Sequence, residues 1–167
     1  MTVPWRASRR PGAPALIPLA GALDALGRIG QAGETITDVA VADIVGSVGR
    51  ATDFDRGFRP ARGASRVRYQ RWVRLVAAGD EPPPLDLVQL GEVHFVADGH
   101  HRLAALCADG RRWVTARVRR VCTIAYASCC LRAADLPTKA AERRRIEEEG
   151  APDQIRLLGR GCAPPGA

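Results

Sequence analysis

Val93-His94-Phe95-Val96-Ala97-Asp98-Gly99-His100-His101-Arg102-Leu103 is the stretch of this chain on which the reading of the fold turns. Val93 to Val96 is a short apolar run with β-branched residues, as a buried strand has. Asp98-Gly99 makes a turn. His100 to Ala108 then reads as a helix with Leu103, Leu106 and Cys107 inward, and Gly110 ends it. A strand that passes through one glycine into a helix makes an anion trap. The first-turn N–H groups lack intrahelical partners and sit at the positive end of the helix dipole. Gly99 allows close approach, and Arg102 carries a planar fork suited to phosphate or carboxylate oxygens. Asp98 is expected either to cap the helix or to hold a cation such as Mg²⁺ that neutralises the ligand. His100 and His101 add groups that donate hydrogen bonds or carry a proton near neutral pH.

Moving outward, Pro82-Pro83-Pro84 stops any helix and feeds a strand at Leu85–Val88, with Gly91-Glu92 turning it into Val93–Val96. Trp113 to Val118 gives a further strand, so residues 84–118 spell strand, strand, helix, strand. Upstream, Tyr69, Trp72, Val73 and Val76 fall at helical spacing and predict a helix over 65–78, closed by Gly79. Arg66, Gln70 and Arg74 lie on its opposite side and read as a solvated row. Residues 51–64 form a loop. Val39, Val41 and Ile44 alternate with smaller or polar residues and predict a strand running into Gly46-Ser47-Val48-Gly49-Arg50. Leu16, Leu19, Leu23 and Leu26 predict a helix over 15–29.

Past the apolar stretch 122–131, a last helix is expected from about Asp135 to Gly150. Its pairs Arg143/Glu147, Arg144/Glu148 and Arg145/Glu149 run against the helix dipole, so each is worth only ~0.3 kcal/mol and packing must hold it. The fold class is α+β: a small mixed sheet with flanking helices plus a C-terminal helix. Residues 1–14 read as a flexible basic arm and 15–120 as the domain. Residues 121–158 form a C-terminal helical extension, and 159–167 a disordered tail.

A chain of 167 residues suits one domain with loose ends. Its five cysteines are odd in number and contain no C-x-x-C pair, which argues for reduced thiols and against a zinc site. Arg6, Arg9 and Arg10 precede an apolar stretch at 15–23, but Pro18 interrupts it and no run approaches the ~18 residues of a membrane span. The expected setting is therefore cytoplasmic, with no membrane partner. Net charge is +7, yet Lys139 is the only lysine. The excess concentrates between Arg50 and Arg74, where eight arginines face only Asp53 and Asp55. Such a cluster suits a polyanion or a phosphate ligand.

From Ile44-Val45-Gly46-Ser47-Val48-Gly49-Arg50 to Val118 the chain resembles the ParB/sulfiredoxin superfamily, and more narrowly the small ParB-like proteins common in actinobacteria. Pro83-Pro84-Leu85-Asp86-Leu87-Val88 and His94 to Leu103 carry the resemblance, which extends faintly to Leu136-Pro137-Thr138-Lys139-Ala140. Sulfiredoxins place a catalytic cysteine in a Gly-Cys-His-Arg turn. Here His100 stands where that thiol would be, so sulfinic-acid reduction does not carry over. ParB clamps bind CTP through a Gly-Glu-Arg-Arg-x-Arg box, which Gly99 and Arg102 match and His100, His101 and Ala104 do not. Free serine kinases of this fold carry an Asp-Gly-His-His-Arg turn, matched throughout by Asp98 to Arg102. They also need an upstream acidic base, for which Asp53 and Asp55 are the candidates beside Arg50, Arg56 and Arg59.

Together the residues and the resemblance imply a nucleotide- or phosphate-binding module whose ligand is CTP, ATP or ADP with Mg²⁺, or a phosphorylated small molecule. Arg50, Asp98, Gly99, His100, His101 and Arg102 would contact it, with Asp98 on the metal. If the module turns over, as a phosphotransferase or nucleoside triphosphatase, His100, His101, Asp53 and Asp55 are the acid–base candidates. The alternative is a non-enzymatic DNA-associated accessory protein. No recognition-helix pair follows Val118, so its contacts would be sequence-independent and go to phosphates. A metal-dependent nuclease is the third reading, thinly supported by one carboxylate and two histidines.

Overall fold

The structure, a computed structural model, describes residues 15–61 and 64–150. The expected arm over 1–14, the end of the extension and the tail over 159–167 lie outside the described residues. Strand β4 (Leu85–Leu90) and strand β5 (Val93–Asp98) form the expected antiparallel hairpin around Gly91-Glu92. Helix α3 (His100–Ala108) follows β5 at once, and strand β6 (Trp113–Thr123) returns parallel to β4. Upstream lie β1 (Ile17–Pro18), α1 (Leu19–Leu26), β2 (Arg28–Ala40), β3 (Ile44–Ser47) and α2 (Arg66–Ala77); α4 (Leu136–Glu149) ends the described chain. The six strands form one mixed sheet in the order β1-β3-β5-β4-β6-β2. The α+β architecture expected from the sequence is the one observed.

Alternation along the central strands sends side chains to two separate cores. Leu85, Leu87, Val96, Ala116 and Val118 point to one face, where Tyr69 and Val76 of α2 and Leu103 and Leu106 of α3 cover them. Val88, Leu90, Val93, Phe95 and Val121 point to the other, packed with Ala22 and Leu26 of α1 and with Leu131. Helix α4 has no buried residue of its own and leans on α1, contributing the partly buried Leu136. Of its three expected ion pairs, Arg143–Glu147 approaches to 3.8 Å and the other two do not form among the described residues. Packing outweighs charge there, as the dipole argument requires.

The structure corrects the sequence reading in four places. The first helix spans only Leu19–Leu26, because Pro18 sits at its N-cap and Gly27, at φ 74°, ends it. Ile17 and Pro18 instead pair with Gly46 and Ser47. Strand β2 upstream of Val39 was not expected: it is a polar edge strand, mostly exposed, and its pairing with β6 stabilises it rather than an apolar pattern. The strand expected to run from Val39 through Ile44 is broken at Val41–Asp43 by a 3-10 turn, so Val39 ends β2 while Ile44 opens β3 elsewhere in the sheet. Finally, Cys107, Cys129 and Cys130 are free thiols but Cys122 is disulfide-bonded, against the expectation that all are reduced. Spacing carried no pairing signal, since disulfides follow proximity in space. No helix among the described residues is long and apolar enough to cross a membrane.

Candidate anion-binding site

The β5–α3 junction sits as the sequence predicts. Gly99 adopts φ 99°, ψ 19°, a left-handed conformation that side chains resist. A Cβ there would also meet Leu85 Cδ2 at 2.6 Å. Gly99 is the N-cap of α3, and no side-chain oxygen caps the helix. Asp98 therefore does not cap, which corrects one of its two expected roles. It pairs instead with the Arg102 guanidinium one helical turn on. The first turn of α3 lines a cleft of about 370 Å³, and no side chain caps its N–H groups. Arg50, Arg68, Arg71, Trp72 and His101 line that cleft together with residues 97–100 and Arg102.

Both histidines are buried, at 5% and 6% exposure, and belong to the core rather than the surface. His100 Nε2 lies 2.7 Å from Ser47 Oγ, which also accepts the Arg50 N–H at 2.9 Å. The His100 ring stacks on Phe54 with centroids 5.6 Å apart, and His101 meets the same ring edge-on at 5.4 Å. Burial, then the Arg50 guanidinium, push His100 down to about 4; Asp98 and Asp53 oppose this only in part. Burial, then Arg50 and Arg68, lower His101 as well. Both shifts favour the neutral ring. His101 Nε2 is buried without a hydrogen-bond partner.

Arg102, expected to fork onto a ligand, is largely committed to the fold. Its guanidinium donates to the carbonyls of Pro83 (3.1 Å) and Pro84 (3.0 Å), pairs with Asp98 and lies over Trp72 at 5.8 Å. Its side chain is only 12% exposed. Arg50 is partly committed, donating to Asp53 at 2.8 Å and lying over Phe54. Asp55 accepts the Gly57 and Arg59 N–H groups, both at 2.9 Å, and so builds a turn rather than a site. Asp53, by contrast, lies close enough to influence both histidines. The structure thus brings Arg50, Asp53, Asp98, Gly99, His100, His101 and Arg102 together and leaves Asp55 to the loop.

Three contributors were missed. Ser47 reaches His100 only because β3 lies beside β5. Among the described residues Arg68 and Arg71 have no ion-pair partner and no side-chain hydrogen bond, and both line the cleft from α2. Their signal was present: with Trp72 they fall at i, i+3, i+4, on the flank of the buried stripe rather than opposite it. For a metal, the fit is poor. Asp98 is taken by Arg102 and Asp53 by Arg50, and no group of three or more His, Cys, Asp or Glu is placed to hold an ion among the described residues.

Among solved structures the chain is similar to sulfiredoxin from Arabidopsis thaliana. The match has 14% sequence identity over 52% of this chain and 85% of that one, with a TM-score of 0.40. No family model and no curated protein matches the chain. The site's own chemistry must therefore carry the functional reading.

Proposed function

We propose that the cleft at the start of α3 binds the phosphate groups of a small molecule, a nucleotide such as CTP, ATP or ADP first among them. One observation carries the reading: Arg68 and Arg71, without side-chain partners among the described residues, line one cleft with the uncapped, glycine-opened N-terminus of α3. Unpaired guanidinium forks opposite free N–H groups form a phosphate cradle, and the helix dipole adds to it. Arg50 supplies a third positive charge, and Arg102 shapes the wall by tying Pro83 and Pro84 to α3. Any Mg²⁺ comes in on the phosphates, because the carboxylates here are engaged. Binding, rather than turnover, is the core of the proposal. A phosphotransfer base needs a free carboxylate, and Asp53 and Asp55 are both occupied.

The test is a thermal-shift series with pyrophosphate, CTP, ATP, ADP and GTP, each with and without Mg²⁺. A ligand at a hundred times its dissociation constant stabilises the fold by ~2.7 kcal/mol. At least one of these should raise Tm, and Arg68→Gln with Arg71→Gln should abolish the rise. Flat curves for every ligand refute the reading. The DNA-associated reading keeps one observation: Arg66, Arg68, Arg71 and Arg74 are all exposed on α2. It requires duplex binding that persists at about 0.15 M salt, where screening reaches ~8 Å.

A further inference from the structure

Three buried side-chain polar atoms lack a partner among the described residues, His94 Nδ1, Arg143 Nε and His101 Nε2, and of these only His101, 6% exposed, belongs to a residue lining the cleft. Leaving such a nitrogen unsatisfied costs free energy, and nothing in the packing of Phe54 against the ring needs it. The charges around it are identifiable on every element packed against it. Arg50 and Asp53 come from the loop after β3, Arg68 from α2, and His100 from α3 itself. Burial, and after it the Arg50 and Arg68 guanidiniums, keep the proton off the ring, and Asp53, held by Arg50, offsets them only in part. His100 is already satisfied by Ser47. His101 is thus unpaired among the described residues and lies near two guanidiniums, with burial and charge both opposing its protonation.

A doubly charged group in the cleft reverses that field. It neutralises the guanidiniums, makes the imidazolium favourable and gives the Nε2–H an acceptor. We propose that the cleft binds a dianionic tetrahedral oxyanion group together with one proton, which is taken up at His101. This rests on the reading of the cleft as a phosphate site and adds which side chain answers the ligand's second charge. Two consequences follow from linkage. Affinity rises as pH falls, by at most tenfold per unit, between the bound-state and free-state titrations of His101; above both it is flat. Monoanions such as nitrate, which bring too little charge to reverse the field, bind weakly at every pH.

Sulfate is the probe, because it stays doubly charged across the range and any pH dependence belongs to the protein. Calorimetric titration of the full chain at pH 5.5, 6.5 and 7.5, in two buffers of different ionisation heat, counts the protons directly. We expect uptake approaching one proton per sulfate and binding at least about fivefold tighter at pH 5.5 than at 7.5. His101→Gln should bind sulfate with no proton uptake and no pH dependence, whereas His94→Gln, on β5 and outside the cleft lining, should keep both. The chain has three histidines. Their ring resonances with and without sulfate therefore assign the proton even if His101→Gln fails to fold. Sulfate binding without uptake, or uptake that survives in His101→Gln, overturns the proposal and leaves the phosphate site standing. If neither sulfate nor pyrophosphate binds at any pH, the site reading falls as well. ATP and pyrophosphate at the same pH values show whether a nucleoside adds affinity to the shared phosphate chemistry.

Discussion

The two faces of the sheet bury different chemistry. The cluster beneath α1 is apolar throughout its buried residues, from Ile17 and Val45 to Phe95 and Leu131. Beneath α2 and α3 the core is equally closed at Leu103 and Val96, yet it also encloses Ser47, His100 and His101. Burying a polar group costs free energy unless it is hydrogen-bonded, and His101 Nε2 is not. Two faces of one sheet, built on the same strands, therefore carry different loads. One cluster is built of apolar side chains, and the other also encloses a histidine nitrogen, His101 Nε2, that no described residue satisfies.

The largest effect should come from the apolar face. A Cβ on Gly46 would stand 2.2 Å from the Ile17 carbonyl oxygen and 2.4 Å from the Phe95 ring. Gly46→Val should cost about 4 kcal/mol or more in urea denaturation, since neither the strand backbone nor the buried ring can yield cheaply. A loss below about 1 kcal/mol would show that this face is less tightly assembled than its counterpart.

Next comes acid sensitivity, which belongs to the polar face. His100 titrates near 6.5 when unfolded and near 4 when folded. Between those values the unfolded chain binds the extra proton, so stability should fall as pH drops from about 6.5 towards 4, by up to about 3 kcal/mol, and stay flat above. Denaturation midpoints across that window check it, with His100→Gln expected to lose most of the slope. An unchanged slope in the variant would move the acid sensitivity to another group.

Arg102→Ala should cost about 2 kcal/mol, because it leaves the Pro83 and Pro84 carbonyls and Asp98 without their donor. A variant that melts like wild type while losing ligand binding would return Arg102 to the role of phosphate fork. The smallest stability effect belongs to Arg68→Gln and Arg71→Gln, which should together shift stability by no more than about 0.5 kcal/mol. Both side chains are exposed and have no partner among the described residues, so their loss should appear in ligand titrations, as at least a tenfold weaker Kd, and not in melting curves.

Elements with local signals were legible in the chain. Helix α3 begins and ends where Gly99 and Gly110 place it. The β4–β5 hairpin follows from two apolar runs around Gly91, and α2 from its i, i+3, i+4, i+7 stripe. The candidate site was legible as far as it lay within one stretch of chain, Asp98 to Arg102. Tertiary structure alone decided the rest, because those features depend on partners distant in sequence. Strand β2 has no pattern of its own and exists through β6. Ser47 becomes the partner of His100 across 53 residues, Arg102 turns inward because two proline carbonyls wait there, and Arg68 and Arg71 become site residues because α2 packs on α3. Periodicity reports which face of an element is apolar; what stands opposite that face is settled only when the elements pack.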